Sequence, residues 1–491
     1  MTDTAGGLKF IIVGASVAGL ASAIALKNSG HSVLVLEKER HLGGLGSVPN
    51  GSGCAELPPN GSKILLNDWG LEAEVAANSA PIAGFSAYKY VGACSPDLLG
   101  HNFWDSELVS ETRGGYQQFL HRDLIRVLYN TAVEARGGSA SRVSVVFGAE
   151  VVAVDSEAGS VTLRSGQIHA GDAIIGADGQ RGVVRRILME EEDMPPESAT
   201  GLVAYSSRVP HALIREHNLG LFLQQPGCTV WFGASRALRT FPMGPDHDVS
   251  ILLYTPDSSQ NGTWVEAAEK KLIDVIGPCD EHIRNLVSLA VPATCVQMKE
   301  HCDLESWVSE SGKLLAIGDA AHPFSPGTGH SYATALEDGA FIGKIFSHSR
   351  DPDRVPEFLR AFQEHREPRC AHLKRMEKEY LFSMTVPDGE FQAGRDASMR
   401  ALHAAGQNVL GGDLEQMLED YQMMYGYEAA DDADEWWMSF GRYHRSSETF
   451  SSGSIFGMGF SSFTTQVHER GVGSEDGDFL TSKLDQVALN A

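Results

Sequence analysis

A chain of 491 residues, 42% hydrophobic and 21% charged, carries enough apolar material for two or three globular domains. Its 64 acidic against 39 basic residues leave a formal net charge of -25, which repels phosphate backbones and anionic lipid and argues against a nucleic-acid or peripheral membrane partner. Seven scattered cysteines without a CxxC pair argue against a disulfide framework and a structural zinc site. With no secretory signal and no run of about 18 apolar residues, the expectation is a cytoplasmic protein without a membrane span.

In chain order, Lys9-Phe10-Ile11-Ile12-Val13 reads as a buried strand. Gly14-Ala15-Ser16-Val17-Ala18-Gly19 follows, then a helix over Leu20–Lys27 and a second strand over Ser32–Leu36 that ends at Glu37. This is a βαβ unit with a dinucleotide fingerprint, in which Ser16 stands where the middle glycine is usual. Gly14 permits the tight turn, and Gly19 lets helix and strand approach closely. The helix N-terminus offers free N–H groups to a pyrophosphate. Glu37 can accept hydrogen bonds from ribose hydroxyls, and its charge disfavours a 2′-phosphate, so the unit fits FAD or NAD better than NADP. Its candidate cofactor contacts are Gly14, Ser16, Ala18, Gly19, Glu37 and Lys38.

Further along stand Leu57-Pro58-Pro59-Asn60-Gly61-Ser62-Lys63-Ile64-Leu65 and His121-Arg122-Asp123-Leu124. Asp172-Ala173-Ile174-Ile175-Gly176 reads as another buried strand, running into Ala177-Asp178-Gly179-Gln180-Arg181-Gly182. The acidic stretch from Met189 to Pro196 reads as a solvated linker. Residues 200–300 alternate strand-like runs with turns, the pattern of an antiparallel sheet. Lys313-Leu314-Leu315-Ala316-Ile317-Gly318-Asp319-Ala320-Ala321-His322-Pro323 is a strand emptying into a loop, and a helix is expected over Ser331–Phe346. From about 352 the chain reads as helical, with Pro368 expected to interrupt or kink a helix over Val355–Lys378. The Ser- and Gly-rich end from Ser446 reads as a loose or docking tail.

Taken together, the fingerprint, the Ala177-Asp178-Gly179 stretch, and Gly318-Asp319-Ala320-Ala321-His322-Pro323 with Leu336-Glu337-Asp338 resemble the class A flavoprotein monooxygenases. This is the family of para-hydroxybenzoate and salicylate hydroxylases. The resemblance covers about residues 8–385 and implies an α/β fold. A Rossmann-like FAD-binding domain (1–80, 110–195 and 300–385) would carry an inserted antiparallel-sheet substrate domain (81–109 and 196–299). A helical C-terminal region with a loose tail (386–491) would follow. It also implies the cofactor FAD, with NADH or NADPH and dioxygen as co-substrates and no metal. The implied reaction is hydroxylation of a small phenol or hydroxybenzoate through a flavin C4a-hydroperoxide. A monomer or homodimer is expected.

Residue by residue, the resemblance implies that Asp319 bonds the ribityl chain of FAD and that Pro326 and Gly329 lie in the loop along the isoalloxazine. Asp178 would serve FAD and nicotinamide handling, and Arg122 would approach FAD. Gly182 departs from a usual serine. The substrate domain opens Ala204-Tyr205-Ser206 where the salicylate-like branch often has Ala-Tyr-Arg. His330-Ser331 replace a common Gln-Gly, and Ala237 replaces a histidine. Tyr205, orienting or deprotonating a phenol, and His330, beside the flavin, are the candidate catalytic residues. Each has a purely structural alternative: a packed sheet tyrosine, and a helix-terminal hydrogen bond. Arg236 and Arg239 are candidates to pair with a substrate carboxylate, or are simply exposed. Two other activities remain open on the same frame: oxygenation of a larger alkaloid or terpenoid, and a flavin oxidase or dehydrogenase that inserts no oxygen.

Overall fold

Short aliphatic runs bounded by glycine build the centre of the molecule, a five-stranded sheet that is parallel throughout. Its order is Leu314–Ala316, Ala173–Gly176, Lys9–Val13, Ser32–Glu37, Val143–Phe147. Parallel sheets are covered on both faces, so their strands are apolar along their whole length; Phe10, Ile11 and Ile12 are fully buried. This computed structural model describes residues 6–44, 53–135, 142–189, 198–256, 267–411 and 414–446. The chain divides into a unit Met1–Arg442 and a unit Tyr443–Ala491. Only residues 443–446 of the second are described, as part of one 3-10 turn. The stretch expected as an acidic linker (190–196) and the tail from 447 lie outside the described residues.

The three strands that precede the glycine-containing motifs are immediate neighbours. Val13 pairs with Gly176, and Gly176 with Ala316. Because all three run the same way, the loops at their carboxyl ends open on one edge, where ligands of open α/β sheets bind.

Two helices cover this edge's flank. Val17–Asn28 packs along His330–Ser347, most of whose residues are buried. The contact is close because it is made of small residues: a Cβ added to Gly343 would lie 2.8 Å from the Ala25 carbonyl carbon.

A second, seven-stranded sheet stands beside the first. Its order is Thr294–Glu300, Ser198–Val209, Asp248–Thr255, Arg236–Met243, Gly227–Gly233, Gly84–Lys89, Leu98–Phe103. All pairs are antiparallel except Gly227–Gly233 with Gly84–Lys89. Successive side chains in a strand face opposite ways. One face, with Val203, Tyr205, Trp231, Leu238 and Leu253, closes an apolar core against the helices Leu272–Val275 and Glu281–Ser288. The other, with Ala204, Ala237, Phe241, Leu252 and Tyr254, belongs to a separate cluster.

The helix Val355–Thr385 runs through Pro368 without interruption, so of the interruption or kink expected there the interruption does not occur. A proline deletes one backbone hydrogen bond. Arg366 and Arg369 on either side offset that loss by ion pairs to Glu337 inside the protein.

Candidate functional site

The loops at the carboxyl edge of the parallel sheet enclose a cavity of about 790 Å³, which continues to the second face of the seven-stranded sheet. That volume lies in the upper part of the range for small-molecule sites.

At one end stands Glu37, the last residue of its strand. Its two carboxylate oxygens accept backbone N–H bonds from Ala15 at 2.7 Å and from Glu39 at 2.8 Å, which fix its direction. A carboxylate accepts up to about four hydrogen bonds, so capacity remains for ribose hydroxyls. Next comes the first turn of the helix Val17–Asn28, whose N–H groups and dipole suit an anion. Gly14 turns the chain into it at φ 102°, and a Cβ there would lie 2.5 Å from the Ala177 carbonyl oxygen. Ser16 needs no glycine conformation, since its φ is -75°. It caps the helix instead, its Oγ accepting from the Gly19 N–H at 3.2 Å.

Among the described residues, Asp178 Oδ1 and Arg122 Nε on this wall are buried without a hydrogen-bond partner. Asp178 Oδ2 accepts from the Val184 N–H at 3.2 Å, and burial pushes its carboxyl above the usual range. Orphaned buried polar atoms are rare in folded proteins and point to a missing partner. Ser331 Oγ donates to Asp319 Oδ1 at 3.4 Å. Helix terminus, ribose acceptor, the uncommitted Asp178 oxygen and the Arg122 guanidinium, which pairs loosely with Asp123 at 3.7 Å, together fit a flavin adenine dinucleotide.

Nine of the expected cofactor residues line this cavity. Gly14, Ser16, Ala18, Glu37 and Lys38 come from the fingerprint unit, and Arg122, Asp178, Asp319 and Pro326 from the three later segments. Gly19 and Gly329 do not line it. Gly19 packs on the Gly14 carbonyl and Ile12, and Gly329 packs on Glu56, so both shape the wall from behind.

The two expected catalytic residues need correction. Tyr205 is fully buried on the sheet face turned away from the cavity, among Trp231, Leu238 and Leu253. Strand alternation decides this, because its neighbours Ala204 and Ser206 take the other face. His330 opens its helix, but its ring stacks on Tyr425 at 5.8 Å and does not line the cavity. Its backbone N–H donates to Glu377 Oε1 at 2.9 Å, and burial pushes its imidazole down to about 4. Neither arginine meets the cavity. Arg236 Nη1 donates to Thr255 Oγ1 and the Val275 carbonyl, and Arg239 Nη2 forks onto both oxygens of Glu56 at 2.9 and 2.7 Å.

Beyond His121, which opens the His121-Arg122-Asp123-Leu124 stretch, several wall residues had no distinct sequence signal. His121 Nδ1 and Tyr332 Oη lie 3.1 Å apart on the wall, and burial pushes the His121 ring down to about 4. Ser206, Ser250, Phe241 and Leu252 come from three strands of the second sheet. Glu56 did leave a trace: it is a charged residue between Ala55 and Leu57, both fully buried, in a short strand.

Among the described residues His322, Asp338 and Cys370 come together as a possible metal-ligand set, their ligand atoms within 4.8 Å of one another. The Arg366 guanidinium already supplies positive charge there, 3.0 Å from Asp338.

A family model described as FAD binding domain matches residues 8–376. The FAD-dependent monooxygenase atnJ of Arthrinium sp is 29% identical over 84% of this chain and 93% of its own. The 3-hydroxybenzoate 6-hydroxylase of Polaromonas naphthalenivorans is 23% identical over 77% of this chain and 87% of its own. A solved salicylate hydroxylase–substrate complex superposes with a TM-score of 0.65, at 17% identity, over 87% of this chain and 98% of its own.

Proposed function

The chain belongs to the FAD-binding domain family and is an FAD-dependent monooxygenase; on that premise we propose that it uses NAD(P)H and dioxygen to hydroxylate a small aromatic compound. One ring C–H becomes C–OH, the second oxygen atom leaves as water, NAD(P)H gives up a hydride, and one proton is taken up from solvent. The observation that carries this reading is the shape of the cavity: the flavin cradle runs without a break onto the wall of a separate sheet.

FAD, when bound, supplies the redox chemistry with the nicotinamide and dioxygen. Glu37, the Val17–Asn28 helix terminus, Arg122 and Asp319 would hold it. Asp178, with one oxygen uncommitted, would meet its far side. The sheet wall contributes the apolar side chains Phe241, Leu252 and Val296, and Phe324 faces them from the Gly318 loop. Such a wall keeps water from the reacting atoms and accepts a flat ring. Arg181, Arg186 and Lys299 on the same cavity suit the phosphates of a nicotinamide dinucleotide, in a chain whose net charge is -25.

The test is to purify the protein with its flavin and screen phenols and hydroxylated heterocycles for faster NAD(P)H oxidation, measuring product mass under heavy-oxygen-labelled dioxygen. One labelled oxygen per product molecule is expected. Loss of all reducing equivalents as hydrogen peroxide with every compound would sink the reading in favour of an oxidase.

A further inference from the structure

We propose that the substrate carries no carboxylate, and that Glu56 accepts a hydrogen bond from a hydroxyl of this uncharged ring. The inference rests on the hydroxylase reading above and specifies the substrate class of the same site. Arginine on a substrate sheet ordinarily suggests a partner for a carboxylate. Here the order of the two charges is reversed. Glu56 lines the cavity, and Arg239 stands behind it, outside the wall.

The donors of Arg239 that carry bonds are turned to Glu56 and Gly327 rather than to the cavity. Its Nη2 is held by both Glu56 oxygens, its Nη1 approaches the Gly327 carbonyl at 3.5 Å, and its Nε is buried without a hydrogen-bond partner among the described residues. Its guanidinium lies between the rings of Phe241 and Tyr380, at 5.8 and 6.0 Å from their centroids. The pair is itself largely buried, with 12% of the Arg239 side chain and 16% of Glu56 exposed.

Among the described residues, Arg239 is the cation that pairs with Glu56. Leu252 is the strand partner of Arg239, and Ser250 that of Phe241. Ser206 pairs with Leu252, and the Pro326–Gly327 carbonyls meet the Tyr254 hydroxyl. Lys299 lies on the strand beside Ser206, but it pairs with Ala199, at that strand's far end. Arg122, Arg181 and Arg186 belong to the segments that form the flavin cradle. A substrate carboxylate at Glu56 would therefore lose its water without gaining a cation and would face a like charge. A hydroxyl loses nothing, because Glu56 has acceptor capacity left and can only accept. Ser206 and Ser250 offer hydroxyls to a second polar group.

The experiment titrates the flavin-loaded protein with matched pairs, such as phenol against benzoate and catechol against salicylate. Binding is read from the visible spectrum of the bound flavin, and separately from the melting temperature. Uncharged members should bind about tenfold or more tighter than their carboxylated partners. Glu56→Gln exposes the charge of Arg239 and should shrink or invert that ratio while the protein stays yellow. Equal or tighter binding of the carboxylated members by the unaltered protein would overturn the proposal, whatever the variant does. An unchanged ratio in a folded Glu56→Gln would overturn the role of Glu56. Neither reading depends on turnover, so a protein that binds neutral rings but yields no oxygenated product would refute the hydroxylase reading and leave this one standing.

Discussion

Gly182 shows how little room surrounds the Asp178 carboxylate. A Cβ at this position would overlap the Asp178 carboxyl group, with its Cγ and both oxygens in the way. The serine that resembling sequences carry here would push Asp178 off its hydrogen bond to Val184. Gly182→Ser should therefore lower the flavin content of the purified protein severalfold, read as flavin absorbance per mole of protein. Full retention would show that Asp178 is not set by this contact. Glu377 is a second residue with a measurable consequence. One of its oxygens accepts from the His330 N–H, and burial pushes its carboxyl up to about 8 from an ordinary 4.5. The fold holds this proton through a window in which the unfolded chain releases it. Stability from this group is thus present below about 4.5 and declines as pH rises through 8. Glu377→Gln should flatten that decline and raise stability at pH 8 by about 2 kcal/mol, in order of magnitude, seen as melting temperature against pH.

At the scale of elements, the contact between Val17–Asn28 and His330–Ser347 matters most. Each helix begins at the cavity, so their mutual seating sets the distance between the pyrophosphate turn and the Pro326–Gly329 loop. Alanine is the better helix former, by about 1 kcal/mol over glycine. Gly343→Ala should nonetheless destabilise the protein, by about 1–3 kcal/mol in denaturant unfolding, because the new methyl meets the Ala25 backbone. Unchanged or increased stability would mean that the helices part easily. The elements themselves were largely legible. The strand–turn–helix at residues 9–28, the strand before Asp178 and the helix near 331–346 all stood out as apolar runs punctuated by glycine. The uninterrupted helix through Pro368 did not, because its local penalty is outweighed by ion pairs with residues remote in sequence.

Across the whole molecule, a buried polar chain links the parts that hold the cavity. Arg366, fully buried, pairs with Glu337 at 2.8 Å and Asp338 at 3.0 Å. Asp338 accepts from the Gly318 N–H at 2.9 Å and lies 2.8 Å from His322 Nε2. Asn60 and Arg369 complete Glu337, and Arg369 also donates to the carbonyls of Met423 and Met424 in the C-terminal region. Burial alone would raise the Glu337 carboxyl, but Arg369 and Arg366 hold it down at about 2. Arg366→Met would take one of two guanidiniums from Glu337 and leave Asp338 with His322 and the Gly318 N–H, and should cost up to about 3 kcal/mol of unfolding free energy. Because Gly318 precedes Asp319, flavin retention should fall with it. A double change with Glu337→Gln should recover part of both. If Arg366→Met melted like the unaltered protein, the chain would not be the frame of the site.

The sequence by itself determined which segments line the cavity proposed for the cofactor. Glycines at turns, an acid ending a strand and aspartates after buried strands are local requirements, written in neighbouring residues. Thus Gly14, Glu37, Asp178 and Asp319 could be picked out one segment at a time. Which side chains line the substrate end depended on the pairing of distant strands. Tyr205 and Ser206 are adjacent in the chain and face opposite ways, and only the stacking of the sheet between two cores says which of them meets the cavity. Arg239 could not be told from a carboxylate receptor until Glu56, brought from another strand, was seen between it and the cavity. Charge in a protein is read by its nearest partner, and that partner is set by the fold.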